Sequence, residues 1–381
     1  MSSTVSLATQ KASDACVGFA EQVGGIKDGP VTVVGGATHS VVVGPSKSLS
    51  TTPSVRSVTA PVGVVSVEPE ELIVRCGAGT TWAELDEALA AAGLVCPLDP
   101  VDSRSTVGGV LSMGFGGIRR SRYGHIRDLL LEARYVSAQG ILVKAGAPVV
   151  KNVTGYDLCR LLIGSQGTLG FLSEVVLRCR PRPAEQLWLQ CADVDPFATR
   201  TSLVSPGAVL WDGTYTYVLL EGTASEVRVG RQTLGGRWES STAPHLRGFG
   251  IRRALRNTTI RTMENRPNTG LPSSGVLLHE GSSSATESAE SPGLTDATSS
   301  AGLGTTSTKG EVESAAAVSS RKSEAGLFLA EIGVGTVHFS STLAASAFNS
   351  PPLSAPVLAL NQQLKAAFDP TGRLNPGVQP W

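Results

Sequence analysis

The stretch from Pro148 to Arg180 constrains this chain more than any other part of its sequence. It predicts an extended segment, a turn at Gly155, a short helical turn, a glycine-rich loop from Gly164 to Gly170 and then a strand. Small residues and free backbone N–H groups in such a loop let a large polyphosphate cofactor approach the main chain closely. The stretch therefore predicts a fold whose backbone is brought against a ligand.

Composition and charge argue against several classes of protein. The 381 residues suffice for two or three domains. Their 32 basic and 32 acidic side chains cancel, so net charge gives no argument for a nucleic-acid or membrane-surface partner. No apolar run approaches the roughly 20 residues that a spanning helix needs, and the first 30 residues lack the pattern of a signal peptide. We expect a cytoplasmic protein with no transmembrane segment and no nucleic-acid partner.

The six cysteines are scattered without Cys-x-x-Cys spacing. The absence of that spacing argues against a metal or iron–sulfur site in the chain itself. We expect most of the cysteines to be small buried side chains.

Shifts in composition predict the organisation of the chain. Residues 1–12 are polar and without pattern, and we expect a flexible tail there. A module of strands and glycine-rich turns over 13–182 ends at a proline-bracketed exit, which predicts a domain boundary. A smaller α/β unit follows over 183–381. Within it, residues 267–325 are rich in Ser, Thr, Ala and Gly and predict a disordered insert.

One helix is well marked in the first module. Thr81 can cap it, and Glu84 three residues later completes a capping box. Trp82, Leu85 and Leu89 then form an apolar stripe at helical spacing.

Five motifs follow one another along the chain: Val34-Gly-Gly-Ala-Thr-His-Ser40, Cys76-Gly-Ala-Gly-Thr-Thr-Trp-Ala-Glu-Leu85, Ser105 to Gly117, Lys151 to Glu174 and Phe368 to Gly377. Together they resemble the FAD-binding domain of the vanillyl-alcohol oxidase, or p-cresol methylhydroxylase (PCMH), superfamily. The run Val-Lys-Asn-Val-Thr-Gly-Tyr-Asp is most similar to the flavoprotein subunits of glycolate oxidase, the smaller one in particular, and to D-2-hydroxyacid dehydrogenases.

The resemblance implies an α+β fold: a two-subdomain PCMH-type FAD-binding domain, followed by a smaller α/β domain of the FAD-linked oxidase type that carries the insert. The implied cofactor is FAD. The positions that match the cofactor-binding loops are Gly35, Gly36, Ala37, Thr38, His39, Ser40, Pro100, Ser105, Thr106, Gly108, Gly109, Ser112, Gly116, Gly117, Gly164, Gly167, Thr168, Gly170 and Asn375. No metal site is expected.

The implied chemistry is removal of a hydride from a carbon that bears a hydroxyl group, with a side chain taking the proton. Related dehydrogenases carry a Gly-Asp-Gly-Asn-x-His element, and here Gly333-Val-Gly-Thr-Val-His338 stands in its place. His338 is thus the candidate base, facing either the flavin or a simple hydrogen-bond partner. The loss of the aspartate and asparagine argues against independent substrate oxidation.

Alternatives stay open for three further features: His39, His125 and a group of four arginines. His39 lies where some members of the superfamily bond the flavin covalently, or it is a loop histidine near the diphosphate. His125 is a turn histidine or a contact beside the flavin. Arg119, Arg120, Arg122 and Arg127 form either a solvated face or a group near the FAD phosphates or a substrate carboxylate.

Two functions of different class follow. The chain is a self-sufficient FAD-dependent dehydrogenase of a small 2-hydroxy acid or another alcohol, or it is the smaller flavoprotein of a glycolate oxidase-like complex. In the second case its partners would be a larger homologous flavoprotein and an iron–sulfur subunit, through which it could lie at a membrane. The altered element at His338 favours the second function. A fold that has lost its cofactor is the third alternative.

Overall fold

The computed structural model describes residues 2–38, 54–100, 102–148, 157–244, 251–254, 260, 263, 328–334, 336–339 and 353–378. The predicted insert at 267–325 lies outside the described residues. So do His39, Ser40 and the run from Lys151 to Tyr156.

The first half of the chain contains two small sheets, a larger sheet and the helices that cover it. In chain order its elements are α1 (Ser2–Val23), β1 (Val31–Val33), β2 (Arg56–Val58), β3 (Val64–Glu68), β4 (Ile73–Gly77), α2 (Trp82–Ala91), β5 (Leu94–Val95), α3 (Val107–Met113), α4 (Arg120–Tyr123), β6 (Leu130–Val136), β7 (Leu142–Gly146), α5 (Leu158–Leu162), β8 (Phe171–Arg178) and β9 (Arg180–Pro181). Short 3-10 turns lie at Ile26–Asp28 and Ile126–Asp128.

The larger sheet of this half is antiparallel, with strand order β3-β4-β8-β6-β7. Strands β1 and β2 form a separate parallel pair, and β5 pairs with β9. Apolar side chains from α1, α2, α3 and the sheet form one core, which includes Phe19, Leu85 and Leu111. This core fixes the loops that leave the ends of the strands.

Helix α1 differs from the sequence-based expectation of a flexible tail over 1–12, because it begins at Ser2. Its C-terminal half supplies the reason. Cys16, Phe19 and Val23 recur at helical spacing and are buried against the sheet. A helix anchored in this way extends through preceding residues that lack an apolar stripe of their own.

Helix α2 forms as predicted. The hydroxyl of Thr81 accepts the N–H of Glu84, and the Glu84 carboxylate accepts the N–H of Thr81 at 2.9 Å. Trp82, Leu85 and Leu89 are buried along one stripe.

The second half of the chain builds a seven-stranded antiparallel sheet, with strand order β13-β10-β12-β11-β15-β16-β14. Its elements are β10 (Glu185–Ala192), α6 (Pro196–Ser202), β11 (Ala208–Trp211), β12 (Tyr215–Gly222), α7 (Ala224–Leu234), β13 (Glu239–Ser240), β14 (Ile251–Ala254), β15 (Phe328–Glu331) and β16 (Thr336–Phe339). Strands β15 and β16 pair antiparallel as a hairpin. Side chains of α6 and α7, including Phe197 and Val227, cover one face of the sheet. The other face packs on Ile118, which follows α3.

The last helix, α8 (Ala355–Phe368), leads the chain back to the first half. Beyond it Arg373 is buried, and its guanidinium donates hydrogen bonds to the carbonyls of Val23, Gly24, Gly29 and Ala138. Desolvation by burial lowers the pKa of Arg373. The end of the chain is therefore part of the packing of the first half, and the predicted limit at residue 182 stays a prediction.

Helices and antiparallel sheets segregate in both halves, so the predicted α+β class is confirmed.

Candidate functional site

A cleft of about 150 Å³ opens where four segments of the first half meet the end of the chain. The segments are the exit of β1, the turn after β4, helix α3 and the loop before β8. The lining residues are Val33, Val34, Gly35, Ala60, Ala78, Gly79, Thr106, Gly108, Gly109, Ser112, Met113, Gln166, Gly167, Phe171, Leu172 and Asn375.

The first glycine loop lies directly on the start of α3. Thr106 is the N-cap of α3, and its hydroxyl accepts the N–H of Gly109 at 3.2 Å. A Cβ at Gly35 would lie 2.7 Å from that same hydroxyl oxygen, and a Cβ at Gly36 would collide with the carbonyl of Arg104. Side chains at these two positions would therefore push the loop off the helix.

Asn375 joins two walls of the cleft. Its Oδ1 accepts hydrogen bonds from the Thr32 hydroxyl at 2.8 Å and from the N–H of Val33 at 3.3 Å. Its Nδ2 donates to the carbonyl of Gln166 at 2.7 Å. A side chain from the end of the sequence thus fixes β1 relative to the loop before β8.

That loop has an unusual backbone. Gln166 and Gly167 both have positive φ, 51° and 72°. The N–H of Gln166 donates to the carbonyl of Ser112 in α3 at 2.8 Å, and the Thr168 hydroxyl donates to the carbonyl of Ser165 at 2.7 Å. The loop is held from the helix on one side and from the end of the chain on the other.

The cleft fits part of a dinucleotide. Its described lining residues include no charged side chain, and its walls are largely glycine, alanine and small polar residues. The N–H groups of Gly35 and Gly167 make no backbone hydrogen bond to any described residue, so they remain available to a ligand's oxygen atoms. Sites for drug-sized ligands measure roughly 300–1,000 Å³. A cleft of about 150 Å³ therefore has room for only one portion of a molecule the size of FAD.

Residues 12–146 match the family described as FAD binding domain. That part of the chain is therefore similar to an FAD-binding domain. The predicted cofactor, FAD, and the predicted superfamily are confirmed by this match.

Curated relatives extend the comparison. The chain is 27% identical over 331 residues to glycolate oxidase subunit GlcE of Escherichia coli (strain K12), covering 83% of this chain and 84% of that subunit. It is 30% identical over 176 residues to a D-lactate dehydrogenase of Archaeoglobus fulgidus, covering 46% and 39%. With glycolate oxidase subunit GlcD of Bacillus subtilis it shares 34% over 121 residues, covering 32% and 26%.

The chain thus spans most of GlcE but well under half of the other two relatives. All three names describe oxidoreductases, and the broad prediction of an FAD-linked oxidoreductase is confirmed. Among solved structures, an alkyldihydroxyacetonephosphate synthase matches with a TM-score of 0.45 and 20% identity, covering 54% of this chain and 45% of that one.

The structure brings seven of the predicted cofactor positions together in the cleft of the FAD-binding domain. They are Gly35, Thr106, Gly108, Gly109, Ser112, Gly167 and Asn375. Gly36, Ala37, Thr38 and Ser105 adjoin it, and the Thr38 and Ser105 hydroxyls lie 2.8 Å apart in a hydrogen bond.

Other predicted positions in the FAD-binding domain do not line the cleft. They are Pro100, Gly116, Gly117, Gly164, Thr168 and Gly170. Two of the glycines serve close packing, since a Cβ at Gly117 would meet the carbonyl of Asp99 and one at Gly170 the ring of Tyr135. A role for these residues along the rest of the cofactor stays a prediction.

Sequence reasoning missed several cleft residues. Gln166, Ala78 and Gly79 lay inside the recognised motifs but were not singled out. The same holds for the apolar residues Val34, Met113, Phe171 and Leu172, whereas Val33 and Ala60 lay outside the motifs. None of them was singled out, because a strand or helix residue beside a cleft has the same pattern as a core residue.

The predicted arginine group joins the FAD-binding domain to the second sheet. Arg119 pairs with Asp99 at 2.8 Å and with Glu221 of β12 at 3.0 Å. Burial disfavours its charged form, but the two carboxylates outweigh burial and raise the pKa of Arg119. Arg122 binds the carbonyl of Ser205. Arg119 and Arg122 therefore do not form a solvated face, and neither supplies a cation to the cleft.

His125 takes the simpler of its two predicted roles. It is the N-cap of the 3-10 turn Ile126–Asp128, and its Nδ1 accepts the N–H of Arg127 at 3.1 Å. Desolvation, helped by nearby arginines, lowers the pKa of His125.

His338 does not line the cleft. It lies on β16, opposite Leu329 of β15, on the sheet face that packs on Ile118 of the FAD-binding domain. Its Nε2 is 2.6 Å from Oε1 of Glu331, and both side chains are 2% exposed. Among the described residues, Nδ1 of His338 has no hydrogen-bond partner.

Metal-binding groups and membrane-spanning helices are absent from the described residues, as follows. The described residues contain no group of three or more His, Cys, Asp or Glu side chains placed to hold a metal ion. In the described part of the chain, no helix has the length and apolarity needed to cross a membrane.

Proposed function

We propose that this chain is the FAD-binding subunit of a glycolate oxidase-like enzyme, in which hydride passes from the α-carbon of a small 2-hydroxy acid to flavin. The similarity to GlcE carries the proposal, because it extends over 84% of that subunit whereas the dehydrogenase matches cover much less. We further propose a larger homologous flavoprotein and an iron–sulfur subunit as partners, and a cytoplasmic location or one at the membrane through those partners.

The cleft supports a division of labour between subunits. A site for a 2-hydroxy acid requires a cation for the carboxylate, yet the described lining of the cleft contains no Lys, Arg or His. Arg119, one of the predicted cations, is engaged by Asp99 and Glu221. These observations favour a chain that holds FAD while a partner contributes to substrate binding.

His338 is the residue we propose as the base if this chain also oxidises substrate. When Glu331 is ionised, the Nε2–H group of neutral His338 donates a hydrogen bond to that carboxylate. In this tautomer Nδ1 carries the lone pair. A base of this form accepts the hydroxyl proton at Nδ1 while Glu331 fixes the orientation of the ring. The bound FAD supplies the hydride acceptor.

The self-sufficient dehydrogenase is the second function, and the buried His338–Glu331 pair is the observation in its favour. A visible absorption spectrum separates the two functions. The purified chain is recorded with FAD, before and after anaerobic addition of glycolate and of D-lactate.

If the proposal is correct, the chain alone shows an oxidised flavin spectrum that neither acid bleaches. Bleaching then requires the larger flavoprotein, supplied by co-expression. Bleaching of the chain alone would replace the proposal with the self-sufficient dehydrogenase. A chain that takes up no FAD at all would contradict both.

A further inference from the structure

Two consecutive residues of the loop before β8 adopt a backbone conformation that most residues avoid. Gln166 has φ 51° and Gly167 has φ 72°. This left-handed region is disfavoured for a residue with a Cβ, such as Gln166, and persists where surrounding contacts hold it. Both residues line the FAD cleft, so these contacts also determine the shape of the cleft.

Two carbonyl groups of this loop accept hydrogen bonds from side chains near the end of the sequence. The carbonyl of Gln166 accepts from Nδ2 of Asn375 at 2.7 Å, and the carbonyl of Thr168 accepts from Nζ of Lys365 at 2.8 Å. The donors lie 209 and 197 residues further along the sequence. Neither lies within residues 12–146, which match the FAD-binding family.

The ammonium group of Lys365 is itself fixed. It lies 2.6 Å from Oδ2 of Asp369, a fully buried carboxylate atom that also accepts the N–H of Leu374 at 2.9 Å. Oδ1 of Asp369 accepts the N–H of Arg373 at 3.1 Å. Asp369 therefore aims Lys365 at the loop, and the charge of Lys365 is balanced without a ligand.

Helix α8 has no buried residue of its own. Phe368 at the end of α8 packs against the core of the first half, and the contact of Lys365 with Thr168 adds a specific polar bond between α8 and the cofactor loop.

We propose that Lys365 is a positioning residue for FAD: it holds the carbonyl of Thr168 so that the turn at Gln166 and Gly167 keeps the conformation that receives the cofactor. It acts through the loop and does not touch FAD. The proposal rests on FAD binding and not on the choice of substrate, so it can be tested even if this chain oxidises no hydroxy acid.

The test is the dissociation constant of FAD, measured by titrating the apoprotein and following flavin fluorescence. The variant is Lys365→Met, which keeps the length of the side chain and removes its donors. We expect the dissociation constant to rise about tenfold or more, because a charge-assisted hydrogen bond that holds the site is lost. Lys365→Arg, which keeps the cation and its donors, should restore most of the affinity.

The matched control is Lys144→Met. Lys144 also pairs with a buried carboxylate, Glu132 at 3.1 Å, but on strand β7 and away from the cleft. Each titration is run below the thermal midpoint of the apoprotein, so that folded molecules are compared. Should the methionine variant not fold, Lys365→Gln takes its place.

An unchanged dissociation constant in Lys365→Met would overturn the proposal, as would an equal change in Lys144→Met. A lowered thermal midpoint of the apoprotein without a change in FAD affinity would give Lys365 a structural role alone. If the wild-type chain binds FAD and a hydroxy acid bleaches it without the larger flavoprotein, the proposed function fails while this inference stands.

Discussion

The FAD cleft and the interface between the two halves of the chain differ in the charge and size of the side chains that form them. The cleft is lined by glycines, small side chains and main-chain donors, and its described lining has no charge. The interface contains the buried or half-buried charges of Arg119, Glu221 and Glu331, with His338 beside them. In the proposed site the backbone would receive a cofactor that carries its own charge, whereas the chain uses a paired side-chain charge, Arg119 with Glu221, between its two halves.

The difference separates two kinds of sensitivity. A change in the cleft should alter cofactor affinity more than stability, because few of its groups are buried charges. A change in the interface should alter stability more than cofactor affinity, because a charge left without its partner in a buried site is costly. The following substitutions test this separation.

Arg119→Ala should have the largest effect on stability. It leaves Glu221 buried without its cation, and we expect the free energy of unfolding to fall by about 3 kcal/mol in urea denaturation. The control is Arg104→Ala, which breaks an exposed pair with Asp102 and should cost less than about 1 kcal/mol. Equal losses in the two variants would mean that the Arg119–Glu221 pair contributes no more to the free energy of unfolding than an exposed ion pair does.

Glu331→Gln tests the second charged pair. It weakens the hydrogen bond to His338, and we expect a loss of about 1.5–2 kcal/mol in the same measurement. The dissociation constant of FAD should stay within twofold of wild type, because Glu331 does not line the cleft. A large loss of FAD affinity would place the pair in the cofactor site and remove the contrast between the two regions.

Gly167→Ala tests the cleft. The substitution places a Cβ at a φ of 72° and 2.5 Å from Nδ2 of Asn375, so both strain and a collision follow. We expect a loss of about 1–2 kcal/mol in stability and a fall in FAD affinity of at least tenfold. Gly235→Ala, with φ 78° and open space around it, imposes the strain without the collision. It should reproduce the stability loss but leave flavin fluorescence titrations unchanged.

Thr106→Ala should have the smallest effect. Removing the N-cap of α3 costs about 1 kcal/mol, and the same holds for Thr81→Ala at the start of α2. Thr106 lines the cleft and Thr81 does not, so FAD affinity should fall a few-fold in the first variant alone. Thermal melts and FAD titrations of the two variants, side by side, decide this prediction.

The predictable part of the fold consists of local patterns. The capping box at Thr81 and Glu84, and the apolar stripe behind it, predict α2 because the interacting positions lie three or four residues apart. The glycine loops were predicted from their composition, but the atoms that require glycine there belong to other segments: a Cβ at Gly36 would meet the carbonyl of Arg104 and one at Gly117 that of Asp99. The start of α1 was not predicted, because its anchor is the burial of Cys16, Phe19 and Val23 against a sheet formed much later in the chain.

The candidate site was predictable to a similar extent. Seven of the positions taken from the motifs meet in the cleft, yet no local pattern of residues indicates that Arg119 pairs with Glu221 of the second sheet. Glu331 was missed as the partner of His338 because no local pattern marks the segment around them as two paired strands. A turn at Gly333, whose φ is 87°, makes it a hairpin and brings the two side chains to the same face.

The sequence by itself determined where helix α2 begins and which of its residues face the core, since both depend on neighbours three or four residues away. Tertiary structure alone decided which carbonyl Lys365 would hold, which walls Asn375 would join and which carboxylate Arg119 would meet. These contacts span about a hundred to more than three hundred residues. Their partners are selected by the packing of whole sheets and helices, which no local pattern of residues encodes.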